Sequence, residues 1–210
     1  MFSALKLVLR SDFYKCLTKL KPGYSIKLTR YSTGSDDDIK FNFNSECEEQ
    51  INQQINQELY ASYAYLTMAY HFEHPAVALP GFFTMYLFFS KEETEHATKL
   101  IEFQNKRGGN VHYNDIVALE NCEWTPESSV IKAIELERSV TSNLLVLHEK
   151  GSKHNDCHLC NFVEDEYIQE QYTALKDLYT LLTKIKRLKD TIGIQIIDEH
   201  LYNKFKNKKI

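Results

Sequence analysis

From residue 44 onward apolar positions recur at steps of three and four, the spacing that lines one face of an α-helix. Asn44 or Ser45 is placed to cap a first helix with Glu48 and Glu49 in its opening turn. Ile51, Ile55, Glu58, Ser62, Tyr65 and Ala69 carry the period up to about Phe72. His74-Pro75 breaks the run, and Pro80-Gly81 opens a second helix, from 82 to about 106, that stops at Arg107-Gly108-Gly109. Residues 108–124 show no helical period, and a connection of that length crosses a bundle from end to end. A third helix starts at Thr125-Pro126 and runs to Gly151, a fourth spans about 157–189, and Gly193 sets off a short fifth from 194 to about 206. The expected fold is all-α: a four-helix bundle with a long crossover between helices two and three and a short C-terminal helix.

Composition agrees, since only 7 Gly and 4 Pro punctuate 210 residues. No apolar run approaches the roughly 18 residues of a helical membrane span. Five irregularly spaced Cys do not make a disulfide scaffold, so a reducing compartment is expected. Charge changes the picture more. Residues 1–35 hold seven basic side chains and one acid, Asp12, for a net +6, while the remainder carries a net −10. The basic stretch is acid-poor, places Leu5, Leu7, Val8 and Leu9 among its first charges, and ends near Thr29-Arg30-Tyr31-Ser32, which resembles a presequence processing site. Lys6 and Arg10 interrupt the apolar run that a secretory signal would need. The expected organisation is a mitochondrial matrix-targeting leader over 1–35 followed by one helical domain over 36–210.

Candidate chemistry appears where polar residues sit on inward faces. In the second helix Phe82, Phe89, His96 and Phe103 repeat every seven residues, with Tyr86, Glu93 and Leu100 four behind them, so Glu93 and His96 lie inside the apolar stripe. Glu58 is seven from Ile51 and from Tyr65, Glu137 is seven from Val130 and from Leu144, and Gln171 is seven before Leu178. Each long helix thus points a polar group into the core. Buried ionised carboxylates cost several kcal/mol each without compensation, so a cation is implied. Carboxylate oxygens with one imidazole suit iron, manganese or zinc, and Glu93 and His96 form an i, i+3 pair on one side of their helix, with Glu92 one turn before His96.

At these residues the chain resembles a known family. The run from Ile51 to Leu66 is similar to the first helix of the ferritins, and Glu92-Glu93-Thr94-Glu95-His96-Ala97 to the second. The similarity continues through Gln104-Asn105-Lys106-Arg107-Gly108-Gly109, Leu136-Glu137-Arg138, His158-Leu159-Cys160 and Tyr167-Ile168-Gln169-Glu170-Gln171, covering about residues 45–206. The resemblance implies a ferritin-like bundle of the heavy-chain, ferroxidase type, with a leader like that of mitochondrial forms. It implies that Glu58, Glu93 and His96 hold a first iron, with Tyr65 hydrogen-bonded nearby. Glu93 would bridge to a second iron on Glu137, with Glu92 assisting and Gln171 positioning dioxygen or water. It further implies oxidation of Fe(II) by dioxygen and storage of ferric mineral in a self-assembled cage of twenty-four subunits, alone or with other ferritin subunits. Light chains replace the residues matching Glu93 and His96, so their presence here points to the oxidising type. A passive storage or transport subunit, secreted or of yolk type, is the alternative. As in the family, the second Glu-x-x-His of bacterial relatives is missing, and Gln171 stands in the fourth helix instead.

The chain departs from the family pattern at the threefold channel, where Glu164 matches one acid but Asn161 replaces the other. Slower iron uptake is expected, with Asp156 near the channel mouth as a compensating charge. Glu95 matches a cavity-side acid, with a plain surface charge as the equal alternative. Cys157-His158-Leu159-Cys160, with His154 just before, offers one ligand cluster, whereas structural zinc sites need a second pair. The resemblance places the last helix at a fourfold axis with Ile196, Ile197, His200 and Leu201 as its packing face, after a connection about three residues shorter than usual. Its Lys204, Lys206, Lys208 and Lys209 read as a solvated run, and no nucleic-acid or membrane partner is expected.

Overall fold

The computed structural model describes residues 39–119, 123–188 and 191–208. The expected leader, and with it Cys16, as well as Cys122 and Lys209, lie outside the described residues. Helix α1 (Ser45–Glu73) opens where Asn44 Oδ1 accepts the Glu46 N–H at 2.8 Å, and Glu46 and Glu48 complement the positive end of its dipole. Helix α2 (Pro80–Lys106) ends on Gly108, whose φ of +76° lets the chain reverse while Gly108 and Gly109 donate back to Asn105 O and Gln104 O. Helix α3 (Pro126–Lys153) begins with proline in its first turn and a reciprocal Thr125–Ser128 capping box.

The fourth rod differs from the single α-helix expected. It runs as α4 (Cys157–Val163), a π-turn over Glu164–Ile168, and α5 (Gln169–Arg187). A π-turn admits one extra residue and rotates the face that follows, and such turns concentrate at functional sites. Here it buries Tyr167 and, a few residues on, Gln171. Helix α6 (Thr191–Phe205) completes the described chain.

The crossover holds α2 and α3 parallel. Their C-terminal ends meet, because Arg107 binds Asp156 through two nitrogens at 3.0 and 2.8 Å, while His71 near the end of α1 lies 2.8 Å from Trp124 O at the start of α3. The extended crossover docks on α1 through side-chain amides that imitate a strand. Asn52 donates to Asn110 O and accepts from His112 N, and Asn56 repeats the pattern with His112 O and Asn114 N. Inside, Ile51, Ile55, Met68, Phe72, Phe82, Leu100, Leu144 and Leu147 are buried, and the rings of Tyr65 and Phe72 stack on Tyr86 at 6.0 and 5.8 Å.

Helix α6 packs along α2 through part of the expected face, Ile197 and Leu201, and turns the other part, Ile196 and His200, away from its own bundle. Gly193, Ile197, Asp198, Leu201 and Phe205 are buried, whereas Ile196 is 60% exposed and His200 is exposed as well. The reason is polar: α2 has no side-chain cap of its own, and Asp198 supplies one by accepting the Gly81 and Phe82 N–H groups at 2.8 and 3.0 Å. The approach is so close that a Cβ on Gly81 would stand 1.8 Å from Asp198 O.

Candidate metal centre

Among the described residues, one group of metal-ligating side chains converges: Glu58 of α1 with Glu93 and His96 of α2, their ligand atoms within 4.8 Å of one another. All three are at least 95% buried. His96 Nδ1 lies 3.2 Å from Glu93 Oε2, and its Nε2 lies 3.3 Å from Glu170 Oε2, brought there from the first turn of α5. An Nε2–H given to Glu170 leaves the Nδ1 lone pair free on the side of Glu93.

Glu137 of α3 is not part of this triad but adjoins Glu93, whose charge it opposes. The Tyr65 hydroxyl donates to Glu137 Oε1 at 2.5 Å. Gln171 is buried with its Oε1 2.9 Å from the Thr141 hydroxyl, itself 2.7 Å from Glu137 O. Glu92 stands at the edge, half-buried. Glu95 is partly exposed, and Asn161 and Glu164 are exposed in the first part of the fourth rod. Glu164 pairs there with His148 at 2.5 Å.

Electrostatics mark the cluster as incomplete. Burial, then repulsion by Glu93, pushes the Glu58 carboxyl well above the carboxylate range; burial, then Glu137, does the same to Glu93, and burial raises Glu137. Glu92 is pushed up to about 7 by burial and then by Glu170. For His96 burial pulls down, but the bond to Glu170 and the surrounding carboxylates prevail and raise it. Glu58 Oε2 and Glu137 Oε2 are buried and meet no donor among the described residues other than the Glu93 carboxyl. Three carboxylates and one imidazole around these oxygens fit hard or borderline divalent cations, iron among them.

Several contributors were not singled out from sequence. Gln54 donates to Glu58 Oε1 at 2.6 Å, Tyr167 donates to His96 O at 3.0 Å, and Thr141 and Glu170 act as described above. Gln54 and Thr141 lie on the same helix stripes as Glu58 and Glu137, a signal the sequence does carry. Tyr167 and Glu170 reach His96 across the π-turn, which has no signal in the spacing.

Other expectations are redirected. Asp156 is not a free charge at a channel mouth, because its carboxylate is buried between Arg107 and the Leu159 N–H that it caps. The Cys157–Cys160 segment disperses: His154 binds Glu46, His158 packs on Phe103, and Cys160 Sγ donates to His148 O.

A ferritin-like domain is recognised over residues 48–188. The chain is 43% identical to soma ferritin of Lymnaea stagnalis over 159 residues, 75% of this chain and 91% of that protein. It is 42% identical to the ferritin heavy chain of Echinococcus granulosus over 162 residues, 77% of this chain and 94% of the relative. The ferritin middle subunit of Salmo salar is 42% identical over 166 residues, 77% of this chain and 94% of its own. With the bundle, crossover and short last helix described above, these matches establish that the chain belongs to the ferritin family.

Proposed function

We propose that this protein stores iron and oxidises Fe(II) with dioxygen at the centre inside its bundle. The observation that carries the reading is the buried triad Glu58, Glu93 and His96, with Glu137 on the other side of Glu93. Iron is here substrate and cargo. Glu58, Glu93 and His96 hold one ferrous ion, and Glu93 also reaches a second held by Glu137. Two ferrous ions each give one electron to one dioxygen, which takes up two protons from solvent and leaves as hydrogen peroxide, while both irons become ferric. Carboxyls that burial keeps protonated in the empty site release their protons to solvent as the cations bind, so charge balance is restored as the site fills. Tyr65 fixes the Glu137 carboxylate, Glu170 fixes the His96 ring, and Gln171 with Thr141 presents an amide to the oxidant. Glu92, at the rim with a carboxyl titrating near neutrality, takes or passes a cation at the mouth. With few carboxylates for two cations the filled site stays net positive, which favours release of ferric product toward storage.

Assembly into a cage of twenty-four subunits accompanies this reading. It is supported by exposed apolar side chains on α1 and the crossover, including Tyr63, Tyr70, Tyr113 and Val117. The basic leader directs the chain to the mitochondrial matrix; a reporter carrying residues 1–40 is expected to co-localise with mitochondria, and its secretion would refute that part.

The deciding experiment follows Fe(II) oxidation by absorbance under air for the wild-type protein and a Glu93→Lys, His96→Gly double variant. Fast oxidation that collapses in the variant is expected. Equal, slow rates in both would make the protein a passive store.

A further inference from the structure

We infer that Gln54 is a positioning residue of the metal centre: its side-chain amide clamps Glu58 Oε1 so that Glu58 Oε2 is the oxygen presented to a cation. The inference rests on the metal-binding role proposed above. Gln54 is fully buried in α1, one helical turn before Glu58, and its Nε2 lies 2.6 Å from Glu58 Oε1. Gln54 Oε1 has no partner among the described residues, and Glu58 Oε2 has none but the Glu93 carboxyl of the same centre. A buried amide that leaves its own oxygen orphaned costs stability.

Gln104 also leaves its Oε1 without a partner among the described residues, so what separates Gln54 from structural use is where its amide donates. Gln50, one turn earlier, accepts Lys150 Nζ at 2.7 Å and so ties α1 to α3. Gln104 donates to Glu48 O and to Asn110 O, tying α2 to α1 and to the crossover. Among the described residues the Gln54 side chain bonds only within its own helix, to a candidate ligand, and joins no two elements. Its chemistry suits the task. A neutral donor holds one carboxylate oxygen without adding a charge that the cation would have to neutralise, and by fixing one oxygen it orients the other. An apolar residue here would let the Glu58 carboxylate rotate, while an acid would repel it.

The test uses the full-length assembled protein and the redox-inert ion Zn2+, titrated by calorimetry. Glu58→Gln defines the share of binding that belongs to the centre. In Gln54→Met that share is expected to weaken about ten- to hundred-fold, the range for loss of a partner that orients a ligand. The melting temperature of the metal-free protein is expected to stay at the wild-type value, because one orphaned oxygen is exchanged for another. Gln50→Met is expected to leave Zn2+ affinity unchanged. Unaltered affinity in Gln54→Met would overturn the assignment, as would a loss of affinity accompanied by a matching fall in melting temperature, the mark of a structural residue. Absence of any Glu58-dependent Zn2+ binding in the wild type would instead overturn the metal-binding role itself.

Discussion

A carboxyl group buried at the end of a hydrogen bond is a titration problem before it is a catalytic one. Burial and repulsion by neighbouring carboxylates raise Glu58 and Glu93, burial alone raises Glu137, and Glu92 rises to about 7. These groups bind more protons folded than unfolded, so their contribution is largest below the ordinary carboxylate range and is lost as pH rises through the raised values. The metal-free protein should therefore melt at progressively lower temperature between about pH 5 and 8, and Zn2+ should flatten the slope. A flat profile in chelator alone would show that the centre tolerates its charges unaided. Arg107 and Asp156 instead satisfy each other in a packed ion pair, with side chains 11% and 5% exposed. Asp156→Ala leaves Arg107 buried without its partner and uncaps α4, and is expected to cost roughly 3–5 kcal/mol in chemical denaturation. A loss below about 1 kcal/mol would mean that Asn42 O and the Phe43 ring suffice to hold the guanidinium.

At the scale of elements, polar contacts between distant segments decide the docking. The mock strand made by Asn52 and Asn56 fixes an extended crossover that has no period of its own, and Asp198 fixes α6 by capping α2. Hydrogen bonds to a charged acceptor contribute roughly 1.5–3 kcal/mol each, and Asp198 accepts two of them from α2. Asp198→Ala is therefore expected to raise hydrogen exchange across 191–205 while leaving α1, α2 and α3 protected. Gly81→Ala should do the same by steric means, through the 1.8 Å contact with Asp198 O. Unchanged exchange in both variants would place the anchor of α6 in its apolar face, on Phe205 against Phe88 and Phe89.

On the proposed reading, in which iron enters an assembled cage, charge along its route matters for the whole molecule. The net −10 of residues 36–210 favours cation capture, while Asn161 stands where the resemblance to ferritins implies a channel acid. Asp156 cannot replace it, being spent on Arg107. Asn161→Asp is thus expected to speed the initial phase of Fe(II) oxidation at low iron and low salt in stopped-flow measurements. Identical initial rates would show that this position does not limit uptake.

Helix periods, caps at Asn44 and Thr125, and the stop at Gly108 were legible along the chain because each depends on residues a few positions apart. So were Glu58, Glu93, His96, Glu137 and Gln171, since a charged or amide group on an apolar stripe stands out from its own helix alone. The π-turn was not legible: whether a rod takes one extra residue per turn depends on what its side chains meet across the bundle, here His96 for Tyr167 and Glu170. Ile197 and Leu201 of α6 were legible as packing residues, but the anchor beside them was hidden, because Asp198 reaches an uncapped helix more than a hundred residues away. Local spacing determined the helices and their candidate ligands. Tertiary structure alone decided which donors orient those ligands, which charges are spent on packing and which remain free, because burial and partnership are properties of the assembled bundle.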